Sequence, residues 1–366
     1  MDTNNNLKAL LALGQSPWYD NIDRRIIENG KMEDLFAVGI TGVTSNPSIF
    51  EKAVNGSAIY DSSIRELADM GQTPDEICNL ITIQDIQSAA DMLSNTYGES
   101  GGRDGYVSLE VNPDYAHDAD KTIEHARRIH EDVARPNLMI KVPGTREGCE
   151  AIRVLTREGI NVNVTLLFSL GHYEASAMAY IEGLKEGLQD GNPVGTVCSV
   201  ASVFVSRVDT KIDKMLEGSG ADRLKGKIAV ANDKMIYQRF RELFFDGAFG
   251  DLASSGARIQ RVLWGSTSTK NPSYSDVKYV DELIGPDTIN TLPHNALEAF
   301  LDHGTPRLTI EEGLDEARED LELLQQQGID IDTVCDEIQQ EGVDAFSASF
   351  KKLMDAVADK ARSSRS

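Results

Sequence analysis

Long apolar runs are missing from this 366-residue chain, and none approaches the ~20 residues that a bilayer-spanning helix needs. The opening residues, Met1-Asp-Thr-Asn-Asn-Asn, lack the basic and apolar regions of a signal peptide, so a cytoplasmic protein is expected. Cysteine is scarce. Cys78, Cys149, Cys198 and Cys335 lie far apart and form no CxxC pair, which fits thiols in a reducing cytosol better than a disulfide framework or a zinc site. The six histidines form no HxxH or HExxH cluster, so no metal is expected. No GxGxxG or GxxxxGK[ST] loop follows any early strand, which argues against an open doubly wound sheet; separately, no cofactor is expected. Positive charge is also short: 36 Lys and Arg face 59 Asp and Glu, a net charge of −23. That balance argues against nonspecific binding to nucleic acid or anionic membranes. It leaves room for a small phosphorylated substrate, which a few local cations can hold. The acidic stretch 311–341 reads as solvated helix faces.

What is present is a 40% hydrophobic chain with short apolar segments alternating with helical patterns. The candidate strands are 16–20, 42–46, 106–111, 138–142, 162–167, 197–205, 259–265 and 288–292. Several are apolar on both faces, as buried parallel strands tend to be. The clearest helical patterns are 22–37, 113–134, 146–158, 170–188, 206–216 and 276–283, and Pro47 and Pro113 stand where a helix could begin. Eight strands alternating with helices predict an α/β fold of the (β/α)8 TIM-barrel class, with an open doubly wound sheet as the alternative. Residues from Leu308 onward read as two or three further helices, and no Pro/Gly/Ser linker precedes them. Residues 1–366 are therefore expected to form one barrel domain, with 308–366 packed on it as an extension. The last residues, 361–366, are expected to fray.

Within the apolar run 137–143, NLMIKVP, stands Lys141. A buried, unpaired ammonium is costly, and its usual relief is loss of the proton, leaving an amine that can attack a carbonyl. Taken alone, Lys141 is better explained as a strand-end lysine reaching solvent or a carboxylate. Its company alters the balance. In such a barrel the active site lies at the carboxyl ends of the strands. There the pattern places Asp20, Asn46, Glu110 and Lys141 on the first four strands, Asn163 and Thr165 at period two on the fifth, and Ser202 with Arg207 at the sixth. Each has a dull explanation, such as a cap for Asp20 or a turn for Asn46, but a single level of one barrel collecting all of them does not. An amine for an imine, carboxylates for proton transfer, amides and a hydroxyl for sugar hydroxyls and an arginine for phosphate together describe class I aldolase chemistry.

Four blocks then carry a resemblance: TGVTSNPSIF at 41–50, LMIKVPGT at 138–145, NVNVTLLFS at 161–169 and SVASVFVSRVD at 199–209. In order and spacing they resemble the signature blocks of transaldolase, along about the whole chain. The resemblance implies a transferase of the non-oxidative pentose phosphate pathway that moves a dihydroxyacetone unit between sugar phosphates. It implies that Lys141 forms the Schiff base, that Glu110 and Thr165 position a proton-shuttling water, and that Asp20 takes the proton from the hydroxyl at the fourth carbon. Asn46 and Asn163 would hold the lysine and the three-carbon unit, Ser202 a substrate hydroxyl and Arg207 phosphate. Sugar phosphates are the implied partners, and a monomer or homodimer is expected.

The sequence departs from the family after the seventh strand. Transaldolases commonly place a serine and an arginine there, whereas WGSTSTKNPS at 264–273 has no arginine. Lys270 either replaces it as a point charge or is a solvated loop lysine, with Ser266, Thr267 and Ser268 as nearby hydroxyls. The competing reading is a fructose-6-phosphate aldolase that releases free dihydroxyacetone. Such enzymes typically carry glutamine where Glu110 stands and tyrosine where Phe204 stands, so both residues, with the chain length, favour transaldolase. A noncatalytic sugar-phosphate binder would be expected to have lost Lys141 or Asp20. A fusion with a sugar-phosphate isomerase is not expected at this length.

Overall fold

A computed structural model describes residues 5–247 and 249–363. Eight parallel strands close into a barrel in chain order, and helices cover its outside. They are β1 (Gln15–Tyr19), β2 (Gly42–Thr44), β3 (Tyr106–Glu110), β4 (Leu138–Pro143), β5 (Val162–Leu167), β6 (Ser199–Phe204), β7 (Gln260–Gly265) and β8 (Thr288–Leu292). All eight predicted strands are present, within about two residues at each end. Asp20 and Asn46 stand just past β1 and β2 rather than inside them.

Side-chain alternation explains why the barrel is closed at one end and reactive at the other. Trp18, Tyr106, Met139, Cys198, Val200, Leu263 and Ile289 form one buried apolar cluster that plugs the barrel interior. Trp18 fits because β2 opens with Gly42, where an added Cβ would meet the indole at 2.5 Å. Two residues further along several of the same strands the side chains change character. Trp18 gives way to Asp20, Met139 to Lys141, Val200 to Ser202 and Ile289 to Thr291. Polar groups therefore gather above a dry floor, toward the carboxyl ends of the strands. Register aligns them: Glu110 pairs with Lys141, and Lys141 with Asn163, so three neighbouring strands present one polar row.

After the barrel the chain forms two helices, Leu314–Gln326 and Ile331–Ser363. The longer one returns to the carboxyl end of the barrel and is fastened there. Gln339 donates to the carbonyls of Gly144 (3.1 Å) and Leu166 (2.9 Å), and Ser48 donates to Ser349 at 2.7 Å. Val343, Phe346 and Leu353 join the main core. Among the described residues no helix is long and apolar enough to cross a membrane.

Several helical expectations need correction. Residues 22–37 form two helices, Arg24–Glu28 and Lys31–Val38, because Gly30 adopts φ +82 between them, a left-handed turn that ends a helix. Residues 113–134 begin as a 3-10 turn, Pro113–Tyr115. The α-helix starts only at Ala119, where Asp118 accepts from the Lys121 amide as its N-cap. The pattern at 276–283 yields one short turn, Lys278–Asp281. The final helix continues through Ser363 rather than fraying at 361, and 364–366 lie outside the described residues.

Candidate active site

A cleft of about 380 Å³ opens at the carboxyl end of the barrel. Asp20, Asn46, Lys141, Ser202, Arg207 and Lys270 all line it. Glu110, Asn163 and Thr165 do not line the open cleft. All three are buried; Glu110 reaches the cleft through Lys141 and Asn163 through Ser202.

Lys141 is buried and its Nζ donates to the carbonyl oxygen of Ser45 at 3.0 Å. The Glu110 carboxylate lies 3.6 Å away, and the Phe346 ring centroid 6.0 Å away. The carboxylate that the plainer reading of Lys141 required is therefore present, and it lies inside the barrel rather than at a surface. Both Glu110 oxygens are buried without a hydrogen bond, as is the Thr165 hydroxyl. Burial pushes the Glu110 carboxyl up to about 7, with Lys141 opposing the shift. A carboxyl in that range can both give and take a proton near neutral pH.

Asp20 lines the same cleft as Lys141. Its Oδ1 accepts from the Thr44 hydroxyl at 2.7 Å, and Thr44 lies 2.6 Å from the Thr291 hydroxyl. Burial raises the Asp20 pKa, while Lys141, the Thr44 hydrogen bond and Lys270 lower it. The two carboxylates thus sit in different surroundings, one held by hydroxyls and one bare beside the amine, as separate proton transfers require.

Asn163 donates to Ser108 at 3.0 Å and accepts from Ser202 at 2.7 Å, a chain that orients both side chains. Asn46 has a structural duty as well: its Oδ1 caps the helix Pro47–Asn55 by accepting from the Ile49 amide at 3.0 Å. Arg207 opens the helix Ser206–Met215, where its guanidinium lies 5.4 Å from the Phe204 ring and 6.0 Å from Phe346. Rings hold it flat without consuming its N–H donors. Gly342 lets the C-terminal helix pass close by, since a Cβ there would meet Arg207 Nη1 at 3.2 Å. Lys270 lines the cleft from the exposed loop after β7, and partial desolvation with the like charges of Arg207 and Lys52 lowers its pKa, Asp20 opposing.

Sequence reasoning missed several contributors. Thr44 and Ser45 lie inside the TGVTSNPSIF block and were legible as part of it. Lys52 follows Ser48 by four residues on the helix Pro47–Asn55, and that spacing puts both on its cleft-facing side. Thr291 and Ser108 follow from strand alternation. Phe346 reaches the cleft from a helix far down the chain, and no local pattern announces it.

A buried amine, two differently placed carboxylates and a cationic mouth, all at the carboxyl end of a closed barrel, define an enzyme of the lysine-dependent aldolase class. The chain belongs to the transaldolase/fructose-6-phosphate aldolase family, whose profile matches residues 17–357. It is 44% identical over 360 residues to the transaldolase of Saccharopolyspora erythraea, covering 98% of both chains. It is 43% identical over 361 residues to the transaldolase of Mycolicibacterium smegmatis, covering 97% of both, and 43% identical over 373 residues to transaldolase 2 of a Nostoc species, covering 98% of both.

Proposed function

We propose that this chain is a transaldolase interconverting sedoheptulose 7-phosphate plus glyceraldehyde 3-phosphate with erythrose 4-phosphate plus fructose 6-phosphate, with Lys141 as its Schiff-base residue. The observation that supports this most is the Lys141 amine, buried between the Ser45 carbonyl and Glu110 on the wall of a cleft that Asp20 shares. Lys141 attacks the ketose carbonyl. Glu110 and Thr165, both with unpartnered buried oxygens, hold the water that moves protons as the carbinolamine loses hydroxide and becomes the iminium. Asp20 then takes the proton of the hydroxyl at the fourth carbon. The bond between the third and fourth carbons breaks, its electron pair moves into the iminium, and the aldose phosphate leaves. The three-carbon enamine remains on Lys141, while Asn46, Asn163 and Ser202 hold its hydroxyls. Arg207 and Lys270 bind phosphate, Arg207 bidentately. We read residues 1–366 as one catalytic unit, with 308–366 closing one wall of the cleft, working in the cytoplasm as a monomer or homodimer.

Phe204 supports transfer over release of free dihydroxyacetone, because its ring brings no hydroxyl to protonate the waiting enamine. Fructose 6-phosphate with erythrose 4-phosphate should yield sedoheptulose 7-phosphate, with dihydroxyacetone absent from the products. Rapid release of dihydroxyacetone without an acceptor would overturn this reading.

Glu110 also sets a pH dependence. Its folded-state pKa of about 7 exceeds the ordinary 4.5, so the folded chain holds a proton that the unfolded chain releases across that window. Glu110 therefore favours folding below pH ~4.5 and loses that contribution as pH rises through about 7. Imine formation should show an apparent ionisation near pH 7 that Glu110→Gln removes, with a rate loss of about a hundredfold or more. Retention of the same ionisation in Glu110→Gln, followed by stopped-flow or quench, would assign it elsewhere.

A further inference from the structure

Besides Lys141, the cleft is lined by three cations from three separate segments: Lys52 on the helix after β2, Arg207 on the helix after β6 and Lys270 in the loop after β7. Asp20 is the only carboxylate among the described residues that line it. Arg207 lies against two rings, and the carboxylate acting on it, Glu341, is itself held by Lys211 at 2.7 Å. Lys52 and Lys270 line the same cleft, and neither makes an ion pair with a described carboxylate. Three like charges that share one carboxylate, Asp20, repel until an anion arrives to offset them. Lys52 is exposed at the rim, yet it shares one helix face with the cleft-lining Ser48 and Ile49, while Phe50, Ala53 and Val54 of the same helix are buried. Its direction is therefore set by the packing of that helix.

We infer that Lys52 is a phosphate-binding residue of this cleft, acting with Lys270 to supply the charge that the missing arginine after β7 does not, and so setting the preference for phosphorylated over free sugars. This rests on the transaldolase reading above. A phosphate dianion and Asp20 together match the three positive charges of Lys52, Arg207 and Lys270, while Lys141 has Glu110 as its own partner. Two lysines replace one planar fork by two point charges, so the pocket selects charge more than geometry.

The test compares wild type with Lys52→Met and Lys52→Glu. Lys52 is exposed, so neither variant is expected to affect folding. With fructose 6-phosphate as donor, Lys52→Met should raise KM about tenfold, the size of one charge-assisted contact at a partly open site, and leave kcat within about twofold. Lys52→Glu should raise KM further, about a hundredfold. Inorganic phosphate as a competitive inhibitor should show the same loss in Ki. Trapping of unphosphorylated dihydroxyacetone on the enzyme by borohydride should be unaffected by either variant. Unchanged KM and Ki, or a loss confined to kcat, would overturn the assignment. If wild type itself neither transfers nor traps dihydroxyacetone, the transaldolase reading has failed. If wild type does both and Lys52→Met matches it, only the role of Lys52 has failed.

Discussion

Lys141→Met is expected to reduce transfer activity by at least about a thousandfold, because Lys141 is the lysine buried at the base of the cleft among the described residues that line it. Methionine nearly preserves the length and volume of the side chain, so the cavity between Ser45 and Phe346 stays filled. The remaining cost is electrostatic. Removing one partner of a buried ion pair commonly costs ~3–5 kcal/mol, because a charge is left alone. Here Glu110 already sits near neutrality, with a pKa of about 7 that the Lys141 ammonium holds down. Without that ammonium its pKa rises further, and the carboxyl takes up a proton instead of remaining charged. The Lys141→Met variant should therefore lose little stability at pH 6 and distinctly more at pH 9, which thermal melts at the two pH values would report. Equal losses at both would mean that Glu110 is not the group coupled to Lys141. Substantial residual activity would remove the lysine from the chemistry.

The second large effect belongs to Asp20. Asp20→Asn keeps the size of the side chain and an oxygen to accept from Thr44, so the Thr44–Thr291 hydroxyl chain survives. The variant lacks a base for the proton on the fourth-carbon hydroxyl. It should form the imine with fructose 6-phosphate and then stall, with cleavage slowed by about 10²–10⁴. Borohydride added at that stage should fix a six-carbon adduct to the protein, where wild type gives a three-carbon one. A three-carbon adduct formed at the normal rate would show that another group takes the proton. Since Asp20 and Glu110 act on different protons, the two variants should differ in kind: Glu110→Gln slows entry into the imine, and Asp20→Asn slows exit from it.

The parts of this molecule that were legible in its sequence are those governed by short-range periodicity. Eight apolar segments became eight strands because parallel barrel strands are buried on both faces, and period two put Asn163 and Thr165 on one face of the fifth. Helix ends were less legible, because one left-handed glycine or one capping aspartate decides them: Gly30 split one predicted helix, and Asp118 shortened another. The pairing of Lys141 with the Ser45 carbonyl depends on backbone outside any strand, and no residue type encodes it. Phe346 is the clearest omission. It enters the cleft because Gln339 and Ser349 fasten the last helix across the barrel mouth, contacts separated from their partners by 173 and 301 residues. The charge of the mouth was half visible. Lys270 was noticed as a substitute cation, but Lys52 joins it only through the packing of the helix Pro47–Asn55.

The account stands on the amine of Lys141 bonding to the ketone carbon of the substrate. Borohydride added to the full-length enzyme with fructose 6-phosphate, followed by digestion and peptide mass mapping, tests that directly. The expected result is progressive inactivation and a reduced three-carbon unit on the peptide carrying Lys141, absent when the sugar or the reductant is omitted. Labelling at Lys52 or Lys270, or inactivation without a sugar-derived adduct, would contradict it.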